Sequence, residues 1–407
     1  MRAGTGRPLA AMPVALGLAL GPAVAIGLAR FAYALLLPAM RADLHWSYAT
    51  AGAINTANAL GYLGGALLAA PVARRAGSRR TFLAGIAVTA AALGATAGGG
   101  PLALLMALRL LAGAAGALTF IVGAGLAAQL GAGASPRRVA LLLGTYFAGG
   151  GLGITLSGLI LPPLLAATGP ATGWRWGWAV LAAAALAALA GCAPAARALP
   201  EPPVPPAGSG RWPVRGLGPL LACYALFGAG YIAYMTFIVA LLKHEGAGPG
   251  AVVLFWVLLG VCAVGGGFAW APLLGRLGPG HGPAAVMAVV AVGALLPVLG
   301  ASPALAAGSA VLFGGSFLSV VTAMTGVVRH ALPPHQWTAA IGGLTVAFAG
   351  GQCLGPVLAG ALSDGPAGVR AGLGLSVGIL AVGALAALAQ RPLPAFTAHP
   401  ADGVRAA

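Results

Sequence analysis

Residues 70–80 read APVARRAGSRR, and residues 271–281, which lie 201 positions later, read APLLGRLGPGH. The two stretches share a proline, an arginine and a glycine in the same register. At the same offset and without a gap, further residues match over about 120 positions, among them Tyr33 with Tyr234 and Gly113 with Gly314. Glycine matches are common in a chain this rich in Gly and Ala, but proline, arginine and tyrosine matches at one offset are not. The chain therefore consists of two copies of one unit of about 190 residues.

The composition of both copies is that of a membrane protein. Hydrophobic residues make up 60% of the chain and charged residues 6%, whereas a soluble domain carries about 25% charged residues. The bilayer is therefore the expected solvent and partner. The net charge of +16 reflects a shortage of acids, five against 21 basic residues. Because no clustered basic face with aromatic platforms is present, no nucleic-acid partner is expected.

Twelve apolar segments are each long enough to cross a bilayer, and we predict that all are α-helices because lipid leaves no other way to pair the backbone. The predicted spans are 12–38, 49–71, 81–99, 102–130, 138–166, 174–194, 216–242, 250–274, 283–301, 304–331, 337–362 and 368–390. The predicted fold class is an all-α integral membrane protein of two six-helix bundles. The domains are 1–194, a Pro-rich cytoplasmic linker at 195–215, and 216–407 with a short cytoplasmic tail. The first span is longer than a signal peptide's apolar core and has a repeat partner, so we expect it to be retained.

The basic residues predict the orientation. With the N-terminus inside, fifteen arginines fall on the cytoplasmic side, and only Arg41, Arg175, Lys243 and Arg370 fall outside. This positive-inside bias predicts a multi-pass protein of the bacterial inner membrane with both termini in the cytoplasm.

Neither metal nor redox chemistry is predicted. The four cysteines lie in apolar stretches without CxxC spacing and are typical of small core residues: Cys192, Cys223, Cys262 and Cys353. No predicted span contains an acid, and no two histidines share a helix face. We therefore expect no enzyme activity, no metal and no cofactor. A channel or sensor would be indicated by ring symmetry or an appended soluble domain, and the linker at 195–215 offers only 21 residues for such a domain.

The stretch at 70–80 resembles a motif of the major facilitator superfamily. That family carries G-x-x-x-D-R-x-G-R-R between helices 2 and 3. Arg75, Gly77 and Arg79 stand in its register, Arg74 takes the place of the acid, and Arg80 follows directly. Arg109 and Gly113 match the family's Arg-x-x-x-Gly in helix 4.

A second stretch, GLARFAYALLLPAM at 27–40, resembles the YbfB/YjiJ-type bacterial branch of the same superfamily. The resemblance implies a secondary transporter in which helices 1, 4, 7 and 10 line a central cavity. Alternating access would then proceed by rocking of the two bundles.

Two charged residues lie deep within the predicted spans rather than near their ends, Arg30 and Arg109. A charge at the centre of a membrane helix costs about 2.5–3.5 kcal/mol, so it is usually there for function. Counted from Pro38 and Pro101, both lie about 12 Å below the outer surface at 1.5 Å per residue. Two guanidiniums at one depth predict an anion site. The alternative is that each arginine pairs with a helix carbonyl or another buried group.

Polar and aromatic residues recur at helical spacing near these arginines. The predicted substrate-binding residues besides Arg30 and Arg109 are Tyr33 on helix 1, Asn55 and Asn58 on helix 2, Tyr231 and Tyr234 on helix 7, and Gln352 on helix 11. Tyr231 occupies the place of Arg30 in the second copy. The alternative for the polar groups is hydrogen bonding between membrane helices.

These residues predict a secondary active transporter that works as a monomer. Its predicted substrate is a small organic solute, anionic or amphipathic and similar to a monocarboxylate. The charge would be held by the N-terminal half, and the C-terminal half would present aromatic rings to the apolar body. The alternative within transport is efflux of apolar or drug-like compounds, for which both arginines would be structural.

Overall fold

The computed structural model describes residues 11–131, 135–201 and 214–391, and within these ranges it contains helices and no β-strand. In these ranges twelve helices are long and apolar enough to cross a membrane, which confirms the predicted number of spans. In chain order they are α1 Ala11–Asp43, α2 Tyr48–Ala76, α3 Ser78–Ala97, α4 Leu102–Gln129, α5 Pro136–Thr168, α6 Pro170–Arg197, α7 Gly218–His244, α8 Pro249–Leu274, α9 His281–Leu299, α10 Pro303–Ala331, α11 Pro334–Ser363 and α12 Gly368–Leu388.

Most helices extend beyond the predicted apolar segments. Helix α1 passes Pro38 and ends at Asp43. An internal proline removes one backbone hydrogen bond, but it does not have to end the helix. Arg30 therefore lies further from the end of its helix than predicted. Helix α6 continues to Arg197, and a short 3₁₀ turn at Val214–Leu217 leads into α7. Most of the predicted linker at 195–215 lies outside the described residues.

Helices α1–α6 and α7–α12 form two halves whose internal packing repeats. Helix α2 packs on α4, and α8 packs on α10 in the same way. A Cβ atom at Gly65 would lie 2.2 Å from the carbonyl oxygen of Ala114, and one at Gly266 would lie 2.0 Å from that of Gly315. Since no side chain fits at either position, glycine lets the two helix backbones approach closely.

Helix α1 changes its winding where it passes the centre of the molecule. Residues Ala23–Phe31 form a π-helical segment, and the amide of Ala32 donates to the carbonyl of Gly27 at 3.0 Å. All nine residues of this segment are buried. Segments of π-helix are rare and concentrate at functional sites. Arg30 lies in this segment.

The two halves meet closely at one end of the molecule, which we call the acidic end because it carries Asp43, Glu245 and Asp364. The carboxylate of Asp364, after α11, accepts hydrogen bonds from the amides of Tyr48 at 2.7 Å and Ala49 at 2.9 Å at the start of α2. The opposite end carries the 74–80 stretch, and we call it the basic end. Among the described residues, no hydrogen bond joins α2 to α11 between Thr56 and the basic end.

Candidate substrate-binding site

Arg30 lies between the two halves with only 4% of its surface exposed. Its guanidinium lies 5.0 Å from the ring centroid of Tyr62 on α2. Its Nε and Nη2 atoms have no hydrogen-bond partner among the described residues. Arg30 also lies within electrostatic range of Tyr231 and Cys353 in the other half. A buried cation with free donors thus faces the interface between the halves.

Arg109 has a different set of contacts, although its Nε and Nη2 atoms, like those of Arg30, have no hydrogen-bond partner among the described residues. Its Nη1 atom donates to the carbonyl of Ala29 at 2.6 Å. Its guanidinium lies 5.3 Å from the ring centroid of Tyr33 and 5.1 Å from that of Trp178. All of these contacts are within the N-terminal half, and Arg109 is 1% exposed. A carbonyl partner is what the sequence predicted as the alternative to anion binding for this arginine.

The predicted residues on α1 and α2 divide into two groups. The Tyr33 hydroxyl donates to the carbonyl of Ala51 at 2.8 Å, and Asn58 Nδ2 donates to the carbonyl of Arg109 at 3.1 Å. Both bonds join helices of the N-terminal half. Asn55 Nδ2 instead donates to Thr236 Oγ1 on α7 at 2.6 Å, so it crosses between the halves.

In the C-terminal half, Gln352 Nε2 donates to the Tyr231 hydroxyl, and Gln352 Oε1 has no partner among the described residues. Tyr231 and Gln352 therefore act as one polar unit opposite Arg30. Tyr234 is fully buried, and its hydroxyl hydrogen-bonds that of Ser309 on α10. The predicted residues thus do not form one cluster, since Tyr234 contacts only its own half in these bonds.

The structure adds aromatic residues that the sequence left out of the predicted site. Phe31, next to Arg30, meets the rings of Tyr231 at 6.4 Å and Phe317 at 5.8 Å edge-on. Phe348 on α11 stacks on Tyr231 at 5.6 Å and 11°. Helical spacing could have predicted some of them, because Phe313 and Phe317 lie four residues apart and therefore share one face of α10.

A cavity of about 520 Å³ lies between α1, α5, α7 and α8 at the acidic end. Its lining is apolar except for Lys243, and it includes Leu35, Pro38 and Pro162. None of the predicted site residues lines it. No cluster of three His, Cys, Asp or Glu residues with metal-binding geometry occurs in the described part of the chain.

At the basic end, Glu201 caps the turn between α2 and α3. Its carboxylate accepts from the Ser78 amide at 2.8 Å and from Arg79 Nε at 2.9 Å. Desolvation by burial raises the pKa of the Glu201 carboxyl, but the hydrogen bonds from Arg79 and Ser78 and the Arg79 charge together hold this pKa below its ordinary value of 4.5. Gly77 turns the chain here at a φ of +86°, a conformation that favours glycine. The motif's own acid is replaced by Arg74. Glu201, which follows α6, therefore supplies a carboxylate to this turn.

Comparison with solved structures identifies the fold. A mutant of the nucleoside transporter NupG is similar with a TM-score of 0.74 at 14% identity, covering 93% of this chain and 99% of that chain. A bacterial homolog of the human lysosomal transporter Spinster, in an inward-facing and unoccupied conformation, is similar with a TM-score of 0.69 at 16% identity, covering 95% and 97%. No curated protein matches the chain.

This similarity defines the fold, which is that of two six-helix halves as in these transporters. The family described as "Uncharacterised MFS-type transporter YbfB" matches residues 22–388, and the chain belongs to that family. The protein is therefore a multi-pass membrane protein and a secondary transporter of a small molecule. This confirms the resemblance found in residues 27–40 and 70–80.

Proposed function

We propose that this transporter moves a small organic anion and that Arg30 binds the anionic group of the substrate. The observation that carries the proposal is the burial of the Arg30 guanidinium between the halves with Nε and Nη2 unpartnered. A guanidinium can grip a carboxylate through two parallel hydrogen bonds. A bound anion would supply both the missing charge and the missing acceptors.

The acids of the described residues support this proposal because each is engaged elsewhere. Trp174 Nε1 donates to Asp43 at 2.8 Å, and Glu245 pairs with Arg370. Asp364 and Glu201 cap helices α2 and α3. None of these four acids neutralises Arg30, so the substrate is the best source of the counter-charge.

The other predicted residues take two roles in this proposal. Asn55, Tyr231 and Gln352 lie at the interface and complete the polar surface around the substrate. Arg109, Tyr33, Asn58 and Tyr234 hold the helices that carry them. Arg109 in particular positions Arg30 by binding the adjacent carbonyl of Ala29.

We propose alternating access as the transport cycle, with the acidic end closed in this structure. Contacts between α2 and α11 would break at the acidic end and form at the basic end as the halves rock about Arg30. The positive-inside bias places the acidic end outside and the basic end, with both termini, in the cytoplasm of a bacterial inner membrane.

The test is uptake into proteoliposomes together with ligand-induced thermal stabilisation of the purified protein. Small carboxylates should raise the Tm of the wild-type protein, and Arg30→Ala should abolish both this shift and transport. Arg30→Lys should retain little of either because lysine lacks the planar two-donor fork. Arg138→Ala changes an exposed arginine on α5 and is the matched control.

Two outcomes would contradict the anion proposal. One is equal stabilisation of the wild type and Arg30→Ala by the same carboxylate. The other is transport of uncharged apolar compounds that Arg30→Ala leaves unchanged. The second outcome would instead support efflux of apolar or drug-like compounds, with both arginines structural.

A further inference from the structure

Six aromatic side chains of the C-terminal half form a continuous wall of nearly parallel rings. Within this aromatic wall, Phe227 stacks on Tyr231 at 4.7 Å and 19°, and Tyr224 stacks on Phe348 at 4.7 Å and 19°. The members of the aromatic wall are Tyr224, Phe227, Tyr231, Phe313, Phe317 and Phe348. Ring pairs in a packed core commonly meet edge-on or tilted as well as stacked, so parallel alignment of neighbouring rings gives this wall one orientation.

The aromatic wall leads to Arg30. Tyr231 lies within electrostatic range of Arg30, and Phe31 meets Tyr231 and Phe317 edge-on. Because α7 runs from the basic end to the acidic end, Tyr224 and Phe227 lie on the basic side of Tyr231. A row of rings therefore extends from the basic end to the unpartnered guanidinium.

Two aromatic residues on the basic side of the site are partly exposed. Tyr62, which stacks on Arg30 from the N-terminal half, and Phe348, in the aromatic wall, are both half-buried, whereas Tyr231 and Phe317 are buried. A ligand that approaches Arg30 from the basic end would thus pass between an aromatic ring of each half.

From this arrangement we infer that the substrate is a planar aromatic carboxylate, with its carboxylate on Arg30 and its ring parallel to Tyr231 and Phe348. A flat ring can stack in offset fashion on the partly exposed Phe348, whose ring lies at 11° to that of Tyr231. A saturated ring is thicker and has no π-face to match theirs. This inference rests on the proposed function, since it specifies the substrate class of the same site.

The experiment compares benzoate with cyclohexanecarboxylate, which have the same number of heavy atoms and the same charge at pH 7. Their Kd values are measured on the purified full chain by thermal shift and by competition. Benzoate should bind about 3- to 10-fold more tightly, which is the range that aromatic pairing provides. The apolar area of the saturated ring would favour the opposite order, so the comparison separates stacking from general hydrophobic burial.

Variants of the aromatic wall test which residues cause the preference for benzoate over cyclohexanecarboxylate. Tyr231→Leu and Phe348→Leu should each reduce the ratio of the two Kd values to about 1. Phe147→Leu removes an exposed ring that packs on Phe120 and Tyr146 in the other half, and it should leave the ratio unchanged. If Tyr231→Leu does not fold, the half-buried Phe348 alone carries this test.

The outcomes separate the two proposals. Equal Arg30-dependent binding of both acids would overturn the aromatic class and leave the anion site intact. A benzoate preference that persists in both wall variants would show that the ring binds elsewhere. If no carboxylate binds in an Arg30-dependent manner, the proposed function itself fails.

Discussion

At the scale of single residues, Arg30 and Arg109 carry the same charge but have different partners. Arg109 has two aromatic rings near its guanidinium, those of Tyr33 and Trp178, and a carbonyl acceptor, all from its own half. Nε and Nη2 have no hydrogen-bond acceptor among the described residues in either arginine, and Arg30 has a single ring contact, with Tyr62. The carbonyl and ring contacts of Arg109 stabilise the fold. The buried charge of Arg30 is instead kept for function at a cost in stability.

This difference predicts opposite effects on stability. Arg109→Met should lower the free energy of unfolding by about 2–4 kcal/mol, because it removes a hydrogen bond to Ala29 and two ring contacts. Arg30→Met should leave stability unchanged or raise it, since it removes an uncompensated charge. Thermal and denaturant unfolding in detergent measure both, and a larger loss for Arg30→Met would reverse these assignments.

At the scale of helices, glycines of α2 and α8 let these helices pack closely on the backbones of α4 and α10. Adjacent glycines provide matched pairs: Gly64 and Gly265 have open space where a Cβ atom would lie, whereas Gly65 and Gly266 do not. The repeat therefore preserves which glycine of each pair touches the neighbouring helix.

Substitution of one glycine in each pair should accordingly be harmful and that of its neighbour tolerated. Gly65→Ala and Gly266→Ala should each cost about 1–3 kcal/mol or more through overpacking. Gly64→Ala and Gly265→Ala should cost less than about 0.5 kcal/mol, or slightly stabilise a helix. The folded fraction on size exclusion and the Tm report the difference, and equal losses within a pair would refute the close approach.

At the scale of the whole molecule, Asp364 joins the two halves at the acidic end. Its carboxylate caps α2 from the other half through the amides of Tyr48 and Ala49. Glu245 lies at the same end but pairs with Arg370 within the C-terminal half. Asp364 therefore makes a contact between the halves, whereas Glu245 makes a contact within one half.

Asp364→Asn should shift the population toward a state that is open at the acidic end. The expected change is about 5-fold, which corresponds to about 1 kcal/mol for an exposed charge-assisted contact. Spin labels at positions 45 and 367 would report a longer distance between the halves. Glu245→Gln is the control and should leave that distance distribution unchanged; a shift of equal size in the control would rule out Asp364 as a specific contact between halves.

The orientation of the whole molecule is tested by topology reporters. Fusions at 76–78 and 136 should report the cytoplasm, and fusions at 43–45, 169 and 246 should report the outside. A cytoplasmic signal from 43–45 would invert the molecule and place the acidic end inside.

The sequence by itself determined the class of this protein. Composition and the 201-residue offset predicted twelve helices in two halves, because in lipid every backbone group must be paired within a helix and length alone counts the spans. The motif at 70–80 and the stretch at 27–40 indicated the family. The sequence also predicted equal depths for Arg30 and Arg109 from a constant rise per residue, but the count started at Pro38, whereas α1 continues to Asp43.

Only the tertiary structure decided which polar groups are engaged. Periodicity places Asn55 and Asn58 three residues apart on α2, yet Asn58 bonds to its own half and Asn55 crosses to Thr236. Likewise, nothing in the sequence separates Arg109, held by Ala29, from Arg30, which faces the other half. Hydrogen bonds and ring contacts between helices depend on how each helix is rotated and offset against its neighbours, and helical spacing carries no information about a partner 80 or 181 residues away.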